Sequence, residues 1–439
     1  MISDLGAFGR PWPRLTALAA RYRYAVAALD QMALSVFGFA LNVVLLRTLS
    51  TTDYGVVSLW MTMALFAVSA QSALVNGPLN IYLPGARDPE AARRLEAALA
   101  TMNLVAVATA AIVAGTANAF AEAEWAARDP LTIIAIPLFV AAGMYREYHR
   151  STAFSRHDMA MLLWVDGPYL AVTGACLAVM MMWPQRFADL ATAFLAMSVG
   201  CLVSQVCSRL RGDGAEGRLF RDGWLKTYRG IAREVAWSLA GVVANHVENR
   251  SYVYIATSLA GMASLAAINA VGILFRPVSV LVAAWGQSSL PRLSAALANH
   301  RLAEFDRLLA RALAATAAGS VAAGVVLWLV WSPIEHFVFA GKYPDGILLL
   351  WPWAAASGAS VLRYVGSIAL TAAREFRFLA TAQAVCGAVA AAATAGFILW
   401  QGYAGAMWGI ALGNGICFGW EMLRLRHVRR RVSAAGPGA

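Results

Sequence analysis

Apolar stretches about twenty residues long recur from residue 24 to residue 425, separated by short polar turns. An α-helix rises 1.5 Å per residue, so about 20 apolar residues cross a hydrocarbon core of roughly 30 Å. That ruler predicts helices over 24–48, 54–82, 95–119, 130–146, 160–183 and 187–208. A second series follows over 231–258, 263–290, 307–332, 345–371, 377–400 and 404–424. The pattern therefore predicts an all-α, polytopic membrane protein of about 12 transmembrane helices.

Basic residues fall after the even-numbered spans. Arg87, Arg93 and Arg94 follow the second, Arg146, Arg150 and Arg156 the fourth, and Arg209, Arg211, Arg218, Arg221, Lys226 and Arg229 the sixth. Arg292, Arg301 and Arg307 follow the eighth, Arg374 and Arg377 the tenth, and the tail LRLRHVRRR follows the twelfth. The odd-numbered exits, among them TLSTTDYG, AEAEWAARD and QGYAG, are short and nearly neutral or acidic. The positive-inside rule then predicts that both termini are cytoplasmic. The opening, MISDLGAFGRPWPRLTALAARYRY, reads as an amphipathic cytoplasmic lead-in rather than a cleaved signal peptide.

Composition agrees: of 439 residues, 60% are hydrophobic and 13% charged, against roughly 25% charged in ordinary soluble domains. The net charge of +11 is spread over short clusters between apolar runs, which speaks against a nucleic-acid partner. Cys176, Cys201, Cys207, Cys386 and Cys417 all lie in apolar stretches without metal-ligand spacing, so neither a disulfide framework, a metal nor a cofactor is expected. Paired catalytic carboxylates, a nucleotide-binding loop and a nucleophile constellation are all lacking, and the expectation is that the chain is not an enzyme.

The longest polar, glycine-rich stretch, RLRGDGAEGRLFRDGWLKTYRG, divides the chain into two six-helix lobes, 1–212 and 213–439. Each half opens on an apolar span, a short turn and a second span that runs on to proline, at Pro78 and Pro84 or at Pro277 and Pro291. Two such copies insert with one orientation, as in transporters built from parallel repeats, and are expected to enclose a central cavity. The prolines are expected to bend their helices.

Several segments, in this order, resemble the polysaccharide or O-antigen flippases (Wzx-type) of the multidrug, oligosaccharidyl-lipid and polysaccharide exporter superfamily. DQMALSVFGFALNVVLLRTLSTTDYGVVSL looks like the family's opening, QSALVNGPLNIYLP its second span, FRPVSVLVAAWGQSSLPRL its eighth, and FAGKYPDG the loop before its tenth. The sequence departs at Thr51 and Thr52, where relatives often carry a Gly-Pro pair. The resemblance implies alternating-access flipping of an undecaprenyl-diphosphate-linked oligosaccharide across a bacterial inner membrane. It also implies a polysaccharide polymerase or export machinery as partner, beside the membrane lipids.

A charge at mid-bilayer costs about 2.5–3.5 kcal/mol on insertion scales, so retained ones draw notice. Arg250 lies in span seven, Arg276 midway along span eight and Arg363 in the outer-to-middle part of span ten, while Arg47 can snorkel. For the implied cargo, Arg250, Arg276 and Arg363 are the candidate diphosphate contacts; pairing with internal acids is the plainer reading. Glu248 and Asp30 are candidates for coupling an ion gradient, with an interhelical ion pair as the alternative. Gln71, Asn76, Asn80 and Asn42 suit either sugar hydroxyls or neighbouring helices. Asp166 is expected at the interface, the run AVAAAATAG in close helix packing, and Trp328, Trp331, Trp351, Trp353 and Trp400 as interfacial anchors.

Two other functions stay open. Ion-coupled multidrug export shares the superfamily, though the excess of intramembrane basic residues disfavours it. A membrane polymerase or glycosyltransferase would need a sizeable extramembrane loop. A peptidoglycan-precursor cargo is also compatible, being a lipid diphosphate.

Overall fold

The computed structural model describes residues 23–83, 88–120, 130–156, 158–211 and 219–435. Pro84, Arg87, Arg218 and the lead-in through residue 22 lie outside the described residues. Among the described residues, twelve long helical segments follow the twelve expected spans: α1 (Arg23–Thr48), α2 (Thr51–Tyr82), α3 (Pro89–Phe120), α4 (Pro130–Ser155), α5 (Met159–Met182) and α6 (Leu190–Leu210). After them come α7 (Ala232–Ala260), α8 (Met262–Ile273 and Arg276–Ala298), α9 (Leu302–Leu329), α10 (Ile347–Ala372), α11 (Phe376–Gln401) and α12 (Gly405–Ala435). The chain is an all-α, polytopic membrane protein.

Among the described residues, nine stretches are each long and apolar enough to cross a membrane, and α8 makes a tenth if its two pieces count as one span. One stretch, Phe376–Ser433, holds both α11 and α12. Helix α7 is absent from that set because Asn245, His246, Glu248, Asn249 and Arg250 crowd its middle. Chain contacts divide the protein into two compact units, Met1–Val242 and Val243–Ala439. The division falls within α7, beyond the 212/213 boundary expected from the polar stretch.

In the first unit, α6 packs on α4 and α5, and α1 on α5. Ser50, Asp158 and Asp189 accept the amide protons of Asp53, Met161 and Thr192, which caps α2, α5 and α6. Helix α2 carries a π-turn over Ser72–Asn76 just before Pro78. Proline has no N–H to offer the carbonyl of Leu74, and the Tyr228 hydroxyl donates to that oxygen at 3.0 Å. Tyr228 thereby joins Val75, Leu79, Leu99 and Tyr148 in one apolar cluster.

The second unit is organised on α12, which packs against α10 and α11. A Cβ on Gly413 would lie 2.4 Å from Ala390 Cβ, and one on Gly409 2.3 Å from Thr394 N. Ala390 and Thr394 belong to the AVAAAATAG run, so the small residues bring the two helices into close packing. Helix α8 bends by 53° between Ile273 and Arg276, ahead of Pro277. Trp353 sits against the first piece: its indole donates to Ile268 O at 2.6 Å, stacks on Phe275 and meets Tyr252 edge-on. Trp353 and the buried Trp331 are thus packing residues rather than interfacial anchors, whereas Trp328, Trp351 and Trp400 are exposed.

Candidate functional site

In the second unit, α10 presents Arg363 and Ser367 one turn apart on a single face, and α12 presents Asn414, Cys417 and Glu421 at helical spacing. The Arg363 guanidinium pairs with Glu248 of α7, donates to Asn414 Oδ1 at 3.2 Å and lies 3.5 Å from Glu421 Oε1. Ser367 Oγ donates to Glu421 Oε1 at 2.8 Å, while Glu421 Oε2 is buried without a hydrogen-bond partner. Glycines admit both carboxylates: a Cβ on Gly366 would stand 2.7 Å from Glu421 Oε2, and one on Gly387 3.1 Å from Glu248 Cβ. The charges are sequestered, with the Glu248 and Glu421 side chains 2% and 1% exposed and that of Arg363 13%.

A cavity of about 280 Å³ opens onto this cluster, walled by Asn245, Asn249, Ser360, Arg363, Gln383 and Asn414, among others. The wall combines amide donors and acceptors with hydroxyls around one guanidinium. Glu248 and Glu421 stand behind Arg363 and do not line it.

Of the three arginines singled out by sequence, only Arg363 lines this cavity. It lies in the second half of α10, which runs from Ile347 to Ala372. Arg250 is half-buried on α7. Arg276 is exposed and opens the second piece of α8 at the bend, within the middle of α8 as a whole. Glu248 takes the interhelical ion pair that was its alternative reading. Glu421 escaped sequence reasoning, although a lone acid within an apolar span was a usable signal.

The first unit holds a second charge cluster. Arg150 Nη2 lies 3.3 Å from Asp30 on α1, its Nε donates to Asp166 on α5 at 2.7 Å, and its Nη1 meets Glu147 at 3.0 Å. Arg146, one turn before it on α4, also pairs with Asp166 and lies 3.7 Å over the Tyr169 ring. Asp166 is therefore 1% exposed, held between helices by two guanidiniums, and Arg146 and Arg150 are not loop residues. The reason is length: α4 runs on to Ser155, which carries both arginines inside the bundle. Beside this cluster, buried Gln71 donates to Asn103 at 2.6 Å and to Met144 O at 2.7 Å, a bond between helices.

The charge balance also corrects an expectation. The carboxylates Asp30, Asp166, Glu248 and Glu421 are met by Arg146, Arg150 and Arg363, so neither sign prevails within the two clusters where a basic excess is expected. A basic excess in these clusters is therefore no argument against drug export.

No protein-family model matches the chain, and no curated protein does. Solved structures do match. An inward-facing multidrug resistance MATE family transporter of the MOP superfamily aligns over 89% of this chain and 95% of its own, with a TM-score of 0.73 and 13% identity. Lipid II flippase MurJ, in an inward closed conformation, aligns over 93% of this chain and 90% of its own, with a TM-score of 0.69 and 11% identity. The chain shares the fold of these two proteins. A MATE structure in the bent conformation aligns with a TM-score of 0.58, 13% identity, and coverage of 94% of this chain and 97% of its own. The shared fold thus serves both a drug transporter and a lipid flippase, and it is the side chains that must separate the two.

Proposed function

We propose that this protein is a flippase that carries a lipid-diphosphate-linked oligosaccharide from the cytoplasmic to the periplasmic leaflet of a bacterial inner membrane, as the Wzx-type resemblance implies. The supporting observation is the cavity wall in the second unit, which combines one guanidinium with amides and hydroxyls and carries no carboxylate. Sugar hydroxyls donate and accept, and such a wall answers both needs; an organic cation would be met there by Arg363. In this reading Arg363, Arg250 and Arg276 compensate anionic groups of the cargo, and Glu248 and Asp30 couple an ion gradient to the cycle. The chain comprises the repeats 1–212 and 213–439, with both termini cytoplasmic, and delivers its cargo to polysaccharide polymerase or export machinery.

Multidrug export is the second reading. The alignment with the multidrug resistance MATE transporter, at a TM-score of 0.73, supports it.

Gene deletion separates the two. Lipid extraction and mass spectrometry are expected to show accumulated undecaprenyl-diphosphate oligosaccharide, with surface polymer lost and both restored by the wild-type gene. Arg250→Ala and Arg276→Ala are expected to insert normally yet fail to restore polymer. An unchanged lipid-linked pool together with new sensitivity to toxic cations would favour drug export instead.

A further inference from the structure

A second cavity of the second unit, about 480 Å³, lies along the antiparallel pair formed by the second piece of α8 and α9. Leu281, Val282 and Trp285 form one wall, and Leu308, Arg311 and Gly319 belong to the other. The lining is apolar with one charge, and no acid lines it. Leu281 is 71% exposed, and a Cβ on Gly319 would meet nothing within 4 Å, so this face of the helix pair is open.

Three features describe an occupant. First, the groove runs from Leu308 to Gly319, eleven residues of α9 or about 16 Å, close to half of a hydrocarbon core of roughly 30 Å. A chain filling it would span one leaflet. Second, the charge sits at one end. Arg311 and Arg307 are one turn apart on α9, both exposed and without an ion-pair partner among the described residues. Third, that end adjoins the turn between α8 and α9, where Arg292 adds to the basic character while the acids Glu304 and Asp306 are taken up by Arg301 and Arg429. An arginine two turns inside a spanning helix can extend toward the interface and meet a phosphate there.

We propose that this groove binds an anionic membrane phospholipid, with one acyl chain along Leu281, Val282 and Gly319 and the phosphate on Arg311 and Arg307. The assignment rests on the membrane-spanning fold and is independent of the cargo proposed above. Charge complementarity selects an anionic over a zwitterionic head, and the groove length selects a chain from the leaflet at the arginine end.

Native mass spectrometry of the purified full-length protein, with phosphatidylglycerol and phosphatidylcholine as competing probes, tests the assignment. The wild type is expected to retain phosphatidylglycerol preferentially. Arg311→Gln should weaken that retention about fivefold and erase the preference. Gly319→Leu fills the groove without a backbone clash and should weaken both lipids, with the melting transition of each variant confirming the fold. Retention of phosphatidylglycerol unchanged in both variants would overturn the assignment. So would preferential retention of undecaprenyl phosphate over phosphatidylglycerol, since the groove would then belong to a cargo tail.

Discussion

Replacing Arg363 with alanine removes the one guanidinium that Glu248 and Glu421 share. Both carboxylates lie in membrane-crossing helices with side chains no more than 2% exposed, so water cannot take over the role of the guanidinium. Breaking a buried ion pair from one side costs about 3–5 kcal/mol, because the abandoned charge stays desolvated. For a unit of this size, about 2–4 °C of melting temperature corresponds to each kcal/mol, which gives a loss of roughly 6–20 °C. Tryptophan fluorescence during thermal unfolding in detergent measures it, and Trp353 reports from the same unit. A triple variant, Arg363→Met with Glu248→Gln and Glu421→Gln, exchanges the ionic set for neutral groups and should recover most of the loss. Arg363→Lys should fall between, since a single ammonium cannot copy a planar fork that reaches Glu248, Asn414 and Glu421. If Arg363→Ala melts within about 2 °C of wild type, or the triple variant is no more stable than the single one, the buried charge cluster does not contribute as argued.

Other perturbations test separate parts of the account. Arg150→Leu leaves Asp30 without its guanidinium and Asp166 with Arg146 alone, and should cost about 3–5 kcal/mol, measured by the same thermal unfolding. Tyr228→Phe strips the Leu74 carbonyl of its donor beside Pro78 and should cost about 1–3 kcal/mol; an unchanged melting curve would show that the π-turn satisfies that oxygen in another way. Gly272→Ala sets a Cβ 2.4 Å from the Trp353 ring and should cost about 1–3 kcal/mol, and Trp353→Phe in the same chain should remove part of that penalty in a double-mutant cycle.

Span length was legible because the bilayer imposes one ruler on every helix, and the helices from α1 to α12 follow the expected series. Apolarity served less well at α7, where a polar patch is housed by Arg363, Gln383 and Asn414 on other helices, none of them near it in sequence. The candidate site was legible in part. Arg363, Glu248 and Asp30 stood out as charges within apolar runs, but partners depend on which helices touch. Arg146 and Arg150 read from the sequence as residues that follow a span, and nothing in it shows that both meet Asp166. A basic residue near a span end reads as a loop residue until the helix length is known, and the run of α4 to Ser155 is what brings Arg146 and Arg150 to Asp166. Trp353 was misplaced for a related reason: an aromatic near a span end suits an interface, and only the contact with Gly272 reveals the pocket that receives it.

The most direct measurement reconstitutes the purified protein in vesicles loaded in one leaflet with a fluorescent undecaprenyl-diphosphate oligosaccharide, and follows its exposure to a glycosidase added outside. The account predicts protein-dependent exposure that Arg363→Ala abolishes while a neutral phospholipid reporter is not carried. Equal exposure with and without protein, alongside protein-dependent movement of an organic cation in the same vesicles, would contradict it.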